Sequence, residues 1–82
     1  MKTQNNLKMY RLKAGLRQVD VARLIGLDFA DRLSRWENGL AMPNITNLFR
    51  LASLYKVPPQ DLYQDLRQNV DTHNEPLNNS VH

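Results

Sequence analysis

Apolar side chains along this chain recur at three- and four-residue intervals, the mark of helices that each bury one face. Between Leu7 and Ala14, Leu7, Tyr10 and Arg11 share a stripe. Asn5 or Asn6 stands where an N-cap belongs, and Gly15 follows at the closing position. Gln18 to Ile25 brings Val21, Ala22, Leu24 and Ile25 together, and Gly26 ends that segment. A third, Phe29 to Asn38, sets Leu33 and Trp36 three apart before Gly39, with Asp28 as its cap and Asp31 as an imperfect capping-box partner. Asn44 caps a fourth, in which Ile45, Leu48, Phe49, Leu51, Ala52 and Tyr55 form a broad apolar face. Val57-Pro58-Pro59 stops it, because proline disfavours helical geometry in the residue before it. Pro59 then opens a last helix, Gln60 to Leu66, with Leu62, Tyr63 and Leu66 inward. The pattern predicts an all-α bundle of five short helices over residues 6–66. A flexible N-terminus is expected at 1–5 and a polar, aperiodic, disordered tail at 67–82.

Length and composition narrow the chemistry. Eighty-two residues allow one domain. The absence of cysteine removes disulfides and thiolate metal sites. His73 and His82 both fall in the tail and cannot make a zinc site alone, so no metal or cofactor is expected. The first residues lack the apolar run of a signal peptide, and no stretch approaches the roughly 18 apolar residues that span a bilayer. A cytoplasmic, non-membrane protein is the expectation. Enzyme classes fail on inventory: the sequence has no Gly-rich phosphate loop, no Ser/His/Asp set in an ordered region and no carboxylate cluster at metal spacing. Charge matters by position. Through Lys56 there are ten cations against four acids; beyond it Arg67 faces Asp61, Asp65, Asp71 and Glu75. A basic front of this kind attracts a polyanion.

The second and third segments, joined through Gly26, have the form of a helix-turn-helix, whose second helix enters the DNA major groove. Ala22 is small where the two helices cross, and Gly26 can take the left-handed conformation that turns the chain. With Val21, Ile25, Leu33 and Trp36 turned to the core, the third helix is left to present Ala30, Asp31, Arg32 and Arg35. Two runs carry a closer resemblance: Leu16-Arg17-Gln18-Val19-Asp20-Val21-Ala22-Arg23-Leu24-Ile25-Gly26, then Leu33-Ser34-Arg35-Trp36-Glu37-Asn38-Gly39 followed by Pro43 and the Leu-rich fourth helix. Together they are similar to the phage lambda-repressor-like, Xre-type DNA-binding domains. The resemblance covers about residues 6–66.

That resemblance implies sequence-specific binding of double-stranded DNA by a small regulator, most simply a repressor, acting as a two-fold dimer. Ala30, Asp31, Arg32 and Arg35 would face bases. Gln18 would touch a phosphate and brace the recognition helix or a base edge. Asn38, Asn44 and the loop from Leu40 would follow the sugar-phosphate backbone. Arg11 and Glu37 match a buried ion pair between the first and third helices. The chain departs from the family in three places. Gly26 to Glu37 is one residue longer than usual, with the extra residue among Leu27, Asp28, Phe29 and Ala30. Arg17 replaces the common Ser or Thr cap and is expected to contact phosphate instead. Asp31 stands where an uncharged donor is commoner; it could accept from a cytosine N4, orient Arg32 or Arg35, or favour the helix dipole. Phe29 is open between filling the longer turn and touching a thymine methyl. Trp36 reads as core, and Tyr10, Phe49, Tyr55 and Tyr63 as core or subunit contact. The expected dimer surface is Val57–Leu66, and no small-molecule effector is expected. The alternative is an antitoxin-like or adaptor module whose tail, 67–82, binds a protein partner.

Overall fold

The computed structural model describes residues 4–63. Within them the order is α1 (Leu7–Lys13), α2 (Gln18–Leu24), α3 (Asp31–Glu37), α4 (Ile45–Tyr55) and a 3-10 helix (Pro59–Tyr63), with no strand among the described residues. Each element sends one fully buried side chain to a common centre: Leu7, Val21, Leu33, Leu51 and Leu62. Ile25, Trp36, Ala52, Tyr55 and Tyr63 pack around them. Burying an aliphatic or aromatic side chain contributes about 1.5–3 kcal/mol, so this small set carries most of the driving force.

The helices end alike. After α2, Gly26 takes φ +83°, its N–H donates to the Arg23 carbonyl and the Leu27 N–H to the Ala22 carbonyl, the paired closure that satisfies orphan carbonyls. Backbone bonds of the same spacing close α1 at Gly15 and α3 at Gly39. α4 closes the same way without a glycine: Lys56 sits at φ 58°, and Val57 N–H donates to the Ala52 carbonyl.

Three expectations are corrected. The described residues form four α-helices and a 3-10 helix in place of five α-helices. The last element is 3-10 because Pro58 and Pro59 lack N–H groups, and its first bond, Asp61 N–H to the Pro58 carbonyl, has the tighter i+3 spacing. The remainder of the expected helix, 64–66, and the tail lie outside the described residues. Second, α3 begins at Asp31 rather than Phe29. The extra residue is taken up in an irregular turn over residues 27–30; Ala30 is the N-cap, and neither an Asp28 cap nor a capping box forms. Third, Ile45 and Phe49 are not part of the buried face of α4: they are 67% and 54% exposed.

The segment before α1 is fastened to the body. Asn5 Oδ1 accepts from the Leu7 N–H and its Nδ2 donates to the Trp36 carbonyl at 2.9 Å. Asn6 bonds the 3-10 helix twice, to the carbonyls of Leu62 and Asp61. These bonds join the ends of the described fold, and among the described residues the outer side of α3 is left uncovered.

Candidate nucleic-acid interface

In α2, Ala22 is buried, with 2% of its surface exposed. At Gly26 a side chain would have room, its nearest neighbour being Arg50 Nη1 at 3.9 Å; what demands glycine is the left-handed backbone. Arg50 itself reaches back from α4 and donates from Nη1 to the Ile25 carbonyl at 3.1 Å. The turn between the two helices is thus held from outside by a third.

Glu37, at the end of α3, is the hub beneath the interface. Its Oε2 accepts from Arg11 Nε at 2.6 Å, while Oε1 accepts from Arg11 Nη2 at 3.1 Å and from Gln18 Nε2 at 3.0 Å. Arg11 Nη1 also donates to the Leu16 carbonyl. The Arg11 and Glu37 side chains are only 9% and 2% exposed. The hydrogen bonds to Glu37 raise the Arg11 pKa above its ordinary value, against the opposing effect of burial. One carboxylate therefore ties α1, the start of α2 and the end of α3 together.

With Leu33 and Trp36 buried, the 100° step of the helix turns Asp31, Arg35 and Asn38 outward on one stripe, with Ser34 and Arg32 at its flanks. Asp31, Arg32 and Arg35 are exposed and Ala30 half-buried. The two arginines differ. The Arg32 guanidinium lies 5.5 Å from the centroid of the Trp36 ring, along its own helix. Trp36 is core and also carries this cation, an interaction of about 0.5–1 kcal/mol at an exposed site. Asn38 Nδ2 donates to Ser34 Oγ at 3.3 Å. Beyond Gly39, Leu40 and Met42 are exposed. Asn44 caps α4, accepting from the Asn47 N–H at 2.8 Å. Phe29 is 75% exposed, which resolves its open placement outward.

Arg17 is held locally. Its Nε and Nη2 donate to Asp20 at 3.1 and 3.0 Å, and its N–H donates to Asp20 Oδ2 at 2.9 Å. These bonds hold the Asp20 carboxyl below its ordinary range and raise the Arg17 pKa. Asp20 thus supplies a cap for α2 that Arg17 cannot, since a guanidinium has no acceptor.

The structure brings Arg11, Gln18 and Glu37 into one network and lines Asp31, Arg35 and Asn38 along one helix; Arg17 faces Asp20. Sequence reading missed Asp20, Ser34 and Arg50. Asp20 stands three residues after the N-cap, the acidic place of a capping box, so its spacing was a usable signal. Ser34 lies one turn before Asn38, at the flank of that stripe. Arg50 had no local signal, because its partner is 25 residues away. Among the described residues no group of His, Cys, Asp or Glu could hold a metal ion, and no helix is long and apolar enough to cross a membrane.

Comparison with known proteins adds one match: a family described as helix-turn-helix, over residues 7–62. No curated protein and no solved structure matches the chain. The match runs from the first residue of α1 into the 3-10 helix, spanning both helices of the turn, its Arg50 tether and the Glu37 hub. The chain belongs to the lambda-repressor-like, Xre-type helix-turn-helix family of DNA-binding transcription regulators.

Proposed function

We propose that the protein binds double-stranded DNA sequence-specifically and represses transcription, with α3 in the major groove. The observation that carries this reading is the two-sidedness of α3. Leu33, Trp36 and the Glu37 network fix one side in the core, while Asp31, Arg32 and Arg35 stand exposed on the other. Arg35, at the middle of the outward stripe, reads a base directly, and Arg32 does so by leaving the Trp36 ring. Asp31 accepts from a cytosine amine or aligns Arg35, one turn away. Ala30 lets the start of α3 approach the base edges. Asn38, Asn44 and the backbone of the intervening loop follow phosphates; Gln18 braces α3 through Glu37 and lies at the start of α2 beside them. Arg17 reaches a phosphate by exchanging it for Asp20. Phosphate contacts set affinity and its salt dependence, and the groove contacts set sequence preference.

A dimer suits this reading, with two copies of α3 about 34 Å apart on successive half-sites. In the expected surface at Val57–Leu66, however, Leu62 and Tyr63 are buried, so the described part has little apolar surface to offer. Ile45 and Phe49 lie one turn apart on the outer ridge of α4. We place the subunit contact along that ridge. The test is selection of bound sequences from a random DNA pool, repeated with Arg32→Ala and Arg35→Ala. Loss of preference at one base position, worth about 1–3 kcal/mol for a bidentate guanine contact, supports base reading. Uniform weakening with a shallower salt slope moves that arginine to a phosphate, and salt-independent binding overturns the reading.

A further inference from the structure

On the side of α4 that faces the ends of α1 and α2, two neighbouring hollows share one lining residue, Leu54, and together form a shallow groove. The first, about 610 Å³, is lined by Arg23, Leu24 and Arg50 among others, and the second, about 470 Å³, by Lys13, Lys56 and Val57 among others. Among the described residues, every charged side chain lining the groove is a cation and none is a carboxylate. The outer side of α3 is different, because Asp31 is exposed there beside Arg32 and Arg35.

We propose that residues 64–82 of this same chain lie across this groove in the free protein. The segment has the complementary chemistry. It carries Asp65, Asp71 and Glu75 against Arg67, and places Leu66, Val70, Leu77 and Val81 between polar residues, to meet the Leu24, Leu54 and Val57 of the groove. It also starts nearby. Val57 lines the groove and leads through the 3-10 helix to Tyr63, and that helix packs on α1 and α4, the two walls of the second hollow. Nineteen residues at about 3.4 Å each reach roughly 65 Å, enough to follow the whole groove. Attachment to the chain gives an effective concentration on the order of millimolar, so a weak contact suffices. Asp31 repels the same acids from α3. The consequence rests on the DNA-binding reading: covering four cations away from the recognition helix leaves long-range attraction for DNA concentrated at α3. The contact itself is testable without DNA.

The full chain has no cysteine, so Thr72→Cys takes a single nitroxide label between Asp71 and Glu75. Docking in the groove predicts paramagnetic loss of amide intensity at Leu24, Leu54 and Lys56, with Arg35 and Asn38 spared. The losses reverse in the variant Asp65→Asn, Asp71→Asn, Glu75→Gln, and at about 1 M salt, where screening acts over about 3 Å. Undiminished groove amides overturn the proposal, as do losses centred on α3. Losses seen only when label and observed isotope are on different chains also overturn it, because the occupant would then belong to a second copy. If DNA binding fails while the groove amides are broadened, the functional reading falls and this contact stands.

Discussion

Replacing Glu37 with glutamine changes almost no volume and removes one charge, which makes it the sharpest probe of how α3 is held. In the native protein the carboxylate accepts two hydrogen bonds from Arg11 and one from Gln18. A glutamine at this position keeps a single acceptor oxygen and turns an NH₂ group toward a guanidinium or another amide, donor against donor. Arg11, nearly buried, keeps its charge and loses its counter-ion. Stranding a buried charge in this way costs about 3–5 kcal/mol, out of a total stability on the order of 5–15 kcal/mol. For a domain of this size each kcal/mol lowers Tm by about 4–8 °C, so Glu37→Gln should lower it by at least about 12 °C. Urea melts followed by far-ultraviolet circular dichroism give the free energy, and a thermal melt gives Tm. The argument also fixes the double variant. Arg11→Met with Glu37→Met removes both charges and fills the space, so it should be more stable than Glu37→Gln alone, with a strongly non-additive cycle. A loss below about 1 kcal/mol for Glu37→Gln, or a double variant as unstable as the two single losses combined, would refute the reasoning.

The remaining predictions probe three other places. Tyr55 and Tyr63 are buried with hydroxyls that have no hydrogen-bond partner among the described residues, so Tyr63→Phe should leave stability unchanged or raise it by about 1–3 kcal/mol. Burial pushes the Tyr63 hydroxyl up to about 12 from its ordinary 10.0. A raised pKa means that its contribution is fully present below pH 10 and is lost as pH rises toward 12, so alkaline unfolding should begin in that window and flatten in Tyr63→Phe. Lys56 holds a left-handed backbone at φ 58°, so Lys56→Gly should stabilise by about 1 kcal/mol in a urea melt; a destabilised variant would show the strain argument wrong. Phe49→Glu should leave the circular dichroism spectrum intact while sedimentation shifts from dimer to monomer and cooperative DNA binding falls. An unchanged sedimentation profile would remove the outer ridge of α4 as the subunit contact.

How far the fold was legible depended on how local each cause is. Gly15, Gly26 and Gly39 marked three helix ends because a left-handed residue is written directly in the sequence. Lys56 performs the same closure and gave no sign of it, since only the following Val57-Pro58-Pro59 forces the chain to leave α4 there. Leu33 and Trp36 identified the buried side of α3 by spacing alone. The start of that helix did not follow from spacing, because the longer turn after Gly26 can absorb a residue at any of several positions. The structure puts Phe29 in solvent and delays the helix to Asp31. The fourth helix exposes the limit of the apolar count most clearly. Six apolar positions suggested one broad buried face, yet the core has room for only part of it, and Ile45 and Phe49 remain outside.

The site itself divides along the same line. The outward placement of Asp31, Arg32 and Arg35 follows from which residues of α3 are apolar, and so was available before any coordinates. What holds those residues at a fixed angle was not. It depends on Arg11 meeting Glu37 across 26 positions, Gln18 meeting it across 19 and Arg50 meeting the Ile25 carbonyl across 25. None of these has a local sequence signature; the Arg11–Glu37 pair and a bracing role for Gln18 were suggested only by family resemblance. Recognition of DNA requires side chains aimed within a fraction of an ångström, and a helix of seven residues has too few contacts of its own to set that aim. The orientation is therefore imposed by long-range polar contacts at both ends of the turn: Glu37 beneath the end of α3, and Arg50 behind Ile25. A variant that loosens either contact should blur sequence preference before it abolishes folding.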